Sequence, residues 1–521
     1  MKKEILKEHF VYFLSLGLLS VLVLLGIIIP EPFQRLTEFL RDKITVNFGW
    51  FYLLLVTGIL IFCVFLILSP IGQIRLGSPK SEPEHDSMSW IAMMFSAGMG
   101  IGLVFYGAAE PLSHFAVMTP LAPKGSQEAL ADAFRFTFFH WGIHAWAVYA
   151  IVGLALAYFG FRKQEKYLLS VTLKPLLGDS ANGWIGKVID TITIVATVIG
   201  VATTLGFGAM QINGGLSSLF GIPNNIMTQT IIIVITTALF VMSAMSGLGK
   251  GVKILSNVNL ILAIGLLAVA IVIGPTVRIF DNMTDSIGAY LQNFFRMSFR
   301  SAAFDGTKRG WINSWTIFYW AWWISWSPFV GVFIARISKG RTIREFLTVV
   351  LLIPTLLSII WFSTFGTLST SLQDAGINLS AFATEEVLFA TFNNYLGGNI
   401  LSLIAIILVS TFFITSADSA TYVLAMLSEN GNLLPSNRKK VIWGILLSAI
   451  AIVLLFSGGL AALENTLIIV ALPFSIVMIF LMISLLKELN HEKKKMGLKI
   501  KPERLPEEGE PFKSYDDWYF I

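Results

Sequence analysis

The chain has 521 residues, of which 55% are hydrophobic and only 13% are charged. A soluble protein would carry about 25% charged residues, so this composition excludes a soluble globular protein. The net charge of +5 does not indicate binding to nucleic acid, because the basic residues fall in short loops and in the C-terminal tail. Cys63 is the only cysteine, which excludes an intrachain disulfide and a thiolate metal site.

Long apolar runs recur from residue 10 to residue 486, and many are long enough to cross a hydrocarbon core of about 30 Å. They predict an all-α integral membrane protein with about twelve transmembrane helices. In chain order, the predicted spans are residues 10–29, 49–69, 89–117, 139–160, 186–209, 226–245, 253–274, 311–335, 345–367, 397–425, 441–457 and 465–487.

Basic residues predict the orientation of these spans. The loops at 210–225, 368–396 and 458–464 contain no Lys or Arg, whereas a loop on the opposite side, at 336–344, contains several. By the positive-inside rule, we expect a multi-pass protein of the cell membrane with both termini in the cytoplasm.

The spans divide the chain into segments. Residues 1–88 hold two helices, and residues 89–274 and 311–487 hold five predicted spans each. Because five is odd, the second set would sit inverted in the membrane, an architecture typical of secondary carriers. Between the sets, residues 275–310 carry apolar side chains at helical spacing, which indicates either an amphipathic interfacial helix or a structured extracellular loop. Residues 488–521 form a charged cytoplasmic tail.

The third span contains the sequence SAGMGIG at residues 96–102. Each glycine destabilises a helix by about 1 kcal/mol relative to alanine, so we expect the helix to break here. The freed backbone groups would then be available to a carboxylate or a cation. Close helix packing through small residues is the alternative. A dinucleotide-binding loop is not expected, since no strand precedes the glycines.

The eighth span contains FYWAWWISWSPF at residues 318–329, with four tryptophans between Trp320 and Trp326. Pro328 cannot donate a hydrogen bond to the carbonyl of Ile324, so we expect the helix to bend or open near Trp326. A cluster of indole faces attracts quaternary ammonium groups. No acidic side chain lies beside the cluster in the sequence, which favours a zwitterion with its own carboxylate over a full cation.

Four stretches resemble the signature regions of the betaine/carnitine/choline transporter family. They are GMGIGLVFYGAAEP (98–111), FFHWGIHAWAVYA (138–150), WTIFYWAWWISWSPFVGVFIARISKGRTIREF (315–346) and FFITSADSA (412–420). The nearest resemblance is to the sodium-coupled glycine betaine transporters of Gram-positive bacteria. It implies a fold like that of the bacterial leucine transporter, preceded by two additional N-terminal helices, and a homotrimer.

The resemblance also implies which residues form the sites. An aromatic box around the trimethylammonium group would be formed by Trp141, Trp146, Tyr149 and Trp323. Trp322 would lie next to the box, and Trp326 along the same pathway. The substrate carboxylate would face Gly98, Gly100 and Gly102. A sodium ion would be bound by the carbonyl oxygens of Ser96, Met99 and Phe412 and the hydroxyls of Thr415 and Ser416. Without the resemblance, the Thr415–Ser416 pair would be expected to bond to the carbonyl groups of its own helix rather than to an ion.

The sequence departs from the family pattern at a second sodium site. Thr197 and Phe329 are present, but Val201 occupies the position of the other threonine, which puts that site in doubt. Proton-coupled choline carriers tend to have an aspartate where this chain has Gly102, so we expect a net-neutral substrate. Sodium-independent exchangers replace the ion with a fixed positive side chain. Between Val188 and Gly249 only Asp190 is charged, so the fifth span offers no such replacement.

Several polar residues lie inside predicted spans, where they are functional candidates. Glu110 has either a helix-end or a gating role, and Asp418 either tunes the ion site or bonds between helices. His140 and His144 have the i, i+4 spacing of a helical metal pair, but no third ligand lies nearby in the sequence, so no metal site is expected.

Together these features predict a sodium-coupled symporter of glycine betaine, or a similar zwitterion, that takes up an osmoprotectant and uses no cofactor besides the coupling ion. The alternatives are a sodium-independent exchanger of carnitine/betaine type, proton-coupled choline uptake and an ion channel. No catalytic constellation indicates an enzyme. The lysines of the tail would contact anionic lipid, and the tail is either a sensor of osmotic stress or passive.

Overall fold

A computed structural model describes residues 9–98, 100–246 and 251–498. These residues are almost entirely helical, and the described part of the chain contains no β-strand, only an isolated bridge between Arg75 and Thr342. The all-α fold predicted from the apolar runs is therefore confirmed.

The principal helices are numbered here in chain order, and shorter helical turns are given by their residues. They are α1 (Phe10–Ile28), α2 (Pro30–Leu68), α3 (Ser87–Gly98), α4 (Ile101–Gly107), α5 (Gln127–Trp141), α6 (Ile143–Ala157), α7 (Trp184–Phe220), α8 (Ile226–Ser246), α9 (Gly251–Ile273), α10 (Thr276–Gln292), α11 (Thr316–Arg336), α12 (Ile343–Asp374), α13 (Gly398–Ser428) and α14 (Asn437–Met496).

Within the described ranges, ten helices are long and apolar enough to cross a membrane, or eleven if α3 and the bent segment that follows it form one broken span. The longest helix, α14, is itself divided, because the backbone at Gly458 and Gly459 is not helical. This division falls at the loop predicted over 458–464. The count of twelve spans and the inverted repeat stay predictions.

Two boundaries differ from the sequence-based prediction. Helix α2 begins at Pro30 rather than near residue 49. The proline lies in the first turn, where backbone N–H groups have no partner within the helix, so its lack of an N–H does not cost a hydrogen bond. Helix α14 continues past residue 487 to Met496, and its Glu492 accepts hydrogen bonds from Tyr158 and Arg162. Residues 499–521 of the predicted tail lie outside the described residues.

The stretch between the two sets of spans contains helix α10, so the helical alternative is the one that the structure shows. Ile279 and Tyr290 are buried on this helix, whereas Leu291 is 64% exposed. Arg278 forms an ion pair with Asp374 at the end of α12, with 2.9 Å between nitrogen and oxygen. The position of α10 at the membrane interface stays a prediction.

Helices α6 and α11 form the centre of the protein, and both are buried along most of their length. They approach so closely that a Cβ atom at Gly331 would lie 2.8 Å from Val152, and one at Gly153 would lie 2.6 Å from Ile334. Glycine is therefore required at both positions, and this contact places the tryptophans of α11 beside the aromatic residues at the start of α6.

Candidate functional site

The glycine stretch breaks its helix as predicted. Helix α3 ends at Gly98, α4 begins at Ile101, and Gly100 between them has an extended backbone. The axis of α3 and that of the segment Ile101–Val117, which begins with α4, differ in direction by 58°. Met99 lies outside the described residues, so its carbonyl group cannot be placed relative to this break.

Helix α11 runs without interruption from Thr316 to Arg336, so it does not open at Pro328, and the bend that was the other expected outcome stays a prediction. The side chain of Ser327 explains why Pro328 is tolerated. Its hydroxyl donates to the carbonyl oxygen of Ile324 at 2.8 Å, which is the acceptor that the proline leaves without a backbone partner.

All nine residues predicted to bind the substrate line one cavity of about 40 Å³, called the chamber below. The nine are Gly98, Gly100, Gly102, Trp141, Trp146, Tyr149, Trp322, Trp323 and Trp326. The other lining residues are Ala97, Leu103, Ala145, Thr204 and Ser358. Helices α3 to α7, α11 and α12 thus contribute to the chamber, and most of its wall is aromatic.

Trp323 is the centre of the aromatic wall. Its ring stacks on that of Trp322 with centroids 4.9 Å apart, and it meets Trp141 at 5.0 Å and an interplanar angle of 70°. Tyr149 lies 6.0 Å from Trp323 and 5.2 Å from Trp146, again with steeply inclined rings. Inclined rings of this kind form a corner, in which a cation can contact more than one ring face.

Gly102 is required by the packing of this wall. A Cβ atom there would lie 2.5 Å from the ring of Trp322 and 3.1 Å from that of Trp141. An aspartate at this position, like any other side chain, would displace an indole from the wall of the chamber. Packing therefore also excludes it. A Cβ atom at Gly100 would meet nothing within 4 Å.

Behind the chamber lies a buried carboxylate that sequence spacing did not connect with it. Glu110 accepts hydrogen bonds from Trp141 at 2.7 Å and from Tyr319 at 2.5 Å through Oε2. Its Oε1 lies 2.7 Å from Nδ1 of His140 and 3.2 Å from Nε2 of His114. Folding thus brings an acidic side chain next to the aromatic wall, although none lies beside the tryptophans in the sequence. Glu110 also lies in the first turn of the short helix Ala109–Leu112, so a helix-end role is compatible with this network.

His140 and His144, which have the spacing of a helical metal pair, have different partners in the structure. His144 is bonded instead to Ser298, with 3.0 Å between Nε2 and the hydroxyl oxygen. The residues that could hold a metal ion together with His140 are Glu110 and His114, whose ligand atoms lie within 4.8 Å of one another. The expectation that no third ligand lies nearby is therefore wrong, since folding brings these groups together.

A second, larger cavity of about 450 Å³ adjoins the chamber at Trp326, which lines both. It is called the ion-side cavity below, because it is bordered by all the predicted sodium ligands that the structure describes, namely Ser96, Phe412, Thr415 and Ser416. It extends to Arg336, at the end of α11 that is predicted to face the cytoplasm.

The hydroxyl of Thr415 is bonded to its own helix, which was the alternative to ion binding. It lies 3.0 Å from the carbonyl oxygen of Thr411, and it accepts a hydrogen bond from Nδ2 of Asn259 at 3.1 Å. The carbonyl oxygen of the Asn259 side chain is buried without a hydrogen-bond partner among the described residues, and Asn259 also lines the ion-side cavity. Sequence reasoning missed this residue, although an amide inside the apolar helix α9 was a usable signal.

Comparison with known proteins identifies the family. The sequence profile of the betaine/carnitine/choline family of transporters matches residues 10–494. The chain belongs to the betaine/carnitine/choline transporter family. It is therefore a multi-pass membrane transporter and not an enzyme.

Individual relatives cover almost the whole chain. The glycine betaine transporter OpuD of Bacillus subtilis is 55% identical over 487 residues, which are 93% of this chain and 95% of the relative. An ectoine/hydroxyectoine transporter of Virgibacillus pantothenticus is 40% identical and covers 93% of this chain and 97% of its own length. A probable glycine betaine transporter of Desulfitobacterium hafniense is 41% identical, with 93% and 98% covered.

The residues of the doubtful second sodium site have separate environments. Thr197 is buried and donates to the carbonyl oxygen of Thr193 at 2.7 Å, and the neighbouring position holds the buried, apolar Val201. Phe329 borders the ion-side cavity. This site stays a prediction.

Asp418 bonds between helices, which was one of its two expected roles. Its Oδ2 accepts a hydrogen bond from Ser243 on α8 at 2.6 Å. Asp190 is similarly engaged, because it accepts hydrogen bonds from the backbone N–H and the hydroxyl of Ser170.

Proposed function

We propose that this transporter is a sodium-coupled symporter, which carries glycine betaine or a similar trimethylammonium zwitterion into the cell as an osmoprotectant. The observation that carries the proposal is the chamber, in which inclined tryptophan and tyrosine rings face the glycine break between α3 and α4.

The chemistry of the chamber suits the two ends of such a substrate. A trimethylammonium group has no hydrogen to donate, so it is bound through ring faces rather than through acceptors, with about 2 kcal/mol or more per desolvated ring contact. The carboxylate of the same molecule would be received by backbone N–H groups that the break at Gly98–Gly102 frees. The name of the Bacillus subtilis relative, a glycine betaine transporter, supports this substrate.

The proposed ion site lies in the ion-side cavity. Sodium is a hard cation that prefers oxygen ligands, and oxygen atoms from α3 and α13 border this cavity. To the predicted set we add the buried, unpartnered carbonyl oxygen of the Asn259 side chain on α9. The proposed set is then Ser96, Met99, Phe412, Thr415, Ser416 and Asn259.

Coupling would follow from the position of this site. An ion bound between α3 and α13 would stabilise one orientation of α3, and α3 carries the glycine break that faces the substrate. Binding of sodium would thus favour the conformation that binds substrate, which is a shift of population between existing states. The homotrimer, the cytoplasmic termini and osmotic sensing by the tail stay predictions.

The proposal is tested by uptake of radiolabelled glycine betaine into proteoliposomes, with and without an inward sodium gradient. We expect accumulation that requires the gradient. Trp323→Ala should raise the KM roughly 30-fold, the equivalent of one lost cation–π contact of about 2 kcal/mol. Trp184→Ala is the matched control, since Trp184 is 70% exposed at the start of α7 and outside the chamber.

The other outcomes separate the alternatives. Uptake that ignores sodium but exchanges with preloaded substrate would establish a sodium-independent exchanger. Uptake of choline driven by a proton gradient would establish proton-coupled choline transport. If intact protein neither bound nor accumulated glycine betaine, the proposed substrate would be wrong.

A further inference from the structure

We propose that Glu110 is the positioning residue of the chamber, which fixes the ring of Trp141 and places a negative charge behind it. Glu110 does not line the chamber, so it acts on the substrate through the rings that it holds. The inference rests on the proposed function for the identity of the substrate, and it concerns how a wall of uncharged rings holds a cation.

One assignment of hydrogens satisfies the whole network around this carboxylate. Trp141, Tyr319, Nδ1 of His140 and Nε2 of His114 each donate to Glu110, two donors to each oxygen. An ionised carboxylate only accepts hydrogen bonds, so it matches four donors that surround it.

The second ring nitrogens of both histidines complete the assignment. Nε2 of His140 accepts from the hydroxyl of Thr316 at 3.0 Å, and Nδ1 of His114 accepts from the indole of Trp311 at 3.4 Å. Both imidazoles are then neutral. The network carries the single negative charge of Glu110, although both histidines and the carboxylate are completely buried.

A metal ion bound by Glu110, His114 and His140 fits these distances less well. Ligand atoms of a tetrahedral zinc site lie about 3.3 Å from each other, because each lies about 2.0 Å from the metal. Oε1 of Glu110 and Nδ1 of His140 are only 2.7 Å apart, which is a hydrogen-bond distance. The hydrogen-bond network therefore accounts for the cluster.

The network reaches more than one ring of the chamber. Trp323 donates its indole N–H to the backbone carbonyl oxygen of His140 at 2.9 Å. The ring of Tyr319 stacks on that of His140 at 4.7 Å and on that of Trp323 at 5.6 Å. Glu110 thus ties the end of α5, which carries Trp141, to the tryptophan helix α11.

The charge has a direct consequence for cation binding. A carboxylate that accepts the N–H of an indole increases the electron density of that ring, and the interaction is weakly screened in a buried, water-excluded site. The ring face of Trp141 would then attract a trimethylammonium group more strongly than an indole bonded to a neutral acceptor. The carboxylate itself need not contact the substrate, so the methyl groups keep their apolar surroundings.

The test measures binding of glycine betaine to purified protein from the quenching of tryptophan fluorescence, for the intact protein, Glu110→Gln and Glu110→Asp. We expect Glu110→Gln to weaken binding at least roughly tenfold, since an amide loses the charge and offers donors where the network needs acceptors. Glu110→Asp keeps the charge and should recover part of the affinity. Asp190→Asn is the control, because it neutralises another buried carboxylate outside the chamber.

The effects of the substrate's charge and of its shape are separated with 3,3-dimethylbutanoate as a competing ligand. In this analogue, carbon replaces the nitrogen of glycine betaine. If Glu110 acts through its charge, Glu110→Gln should weaken the binding of glycine betaine at least roughly tenfold more than the binding of this analogue, whose head group is neutral. Equal weakening of both ligands would overturn the electrostatic part of the proposal and leave the positioning part.

A double-mutant cycle of Trp141→Phe with Glu110→Asp keeps the proposal falsifiable if Glu110→Gln folds poorly. Phenylalanine keeps a ring but removes the N–H that Glu110 accepts, so the two substitutions should not be additive. Additive losses, or unchanged binding in Glu110→Gln, would overturn the proposal.

A readout without substrate separates this inference from the proposed function. In protein labelled with 5-fluorotryptophan, the ¹⁹F resonance that Trp141→Phe removes should shift in Glu110→Gln and stay in place in Asp190→Asn. If the intact protein failed to bind glycine betaine but this shift occurred, the proposed substrate would be wrong and the positioning role would stand. An unshifted resonance would contradict the positioning role.

Discussion

The chamber and the ion-side cavity share the indole of Trp326 but differ in how their polar groups are satisfied. In the chamber, the indole N–H groups of Trp141, Trp322 and Trp323 all donate to protein oxygens. In the ion-side cavity, the amide oxygen of Asn259 is buried without a hydrogen-bond partner among the described residues, and so is the indole N–H of Trp326, which both cavities share.

This difference fits what each cavity is proposed to bind. A methylated cation offers no hydrogen bonds, so its site needs ring faces held in place by bonds made at the ring edges. A small ion needs oxygen atoms that are free to coordinate it. The shared indole of Trp326 and the phenol of Tyr149 are exceptions on the chamber side, because their polar atoms are buried and unpartnered among the described residues.

The largest effect is expected in the chamber, where the side chains are tightly packed. Gly102→Ala would place a methyl group 2.5 Å from the ring of Trp322, so the indole must move or the helices must separate. We expect uptake of glycine betaine to fall more than roughly tenfold, with a similar loss of binding. Gly265→Ala on α9 is the control, since its Cβ would meet nothing within 4 Å. Normal uptake by Gly102→Ala would show that the wall repacks freely.

An intermediate effect is expected in the ion-side cavity. Asn259→Ala removes an oxygen from the proposed ion site and the donor that orients Thr415. The sodium concentration that gives half-maximal uptake should rise roughly tenfold, whereas the KM for glycine betaine at saturating sodium should change little. Sodium titrations of uptake measure both quantities. Asn257→Ala is the matched control, because Asn257 is exposed on the same helix. A rise in KM alone would place Asn259 with the substrate.

The smallest effect is expected at Thr197. Its hydroxyl donates to Thr193 within the same helix, and Val201 already removes the companion hydroxyl of the second sodium site. Thr197→Val should therefore leave the Hill coefficient for sodium unchanged in uptake assays. A fall in that coefficient would instead establish a second ion that this residue helps to bind.

The sequence identified the elements of the chamber because their signals are local. Repeated glycines predict a helix break, and it occurs between Gly98 and Ile101. Clustered tryptophans predict an aromatic surface, and Trp322 and Trp323 stack as neighbours on one helix. At Pro328 the helix does not open, because a serine one residue away satisfies the carbonyl that the proline leaves without a backbone partner.

The sequence alone thus determined the membrane-spanning, all-helical class, the family and nine of the residues that line the chamber, since these depend on hydropathy and on contiguous motifs. Only the tertiary structure joined Glu110 to Trp141, 31 residues away, and to Tyr319, 209 residues away. It likewise placed Asn259 beside Thr415. Periodicity specifies which side of a helix a residue occupies, but the partner of a buried polar group depends on how distant helices pack.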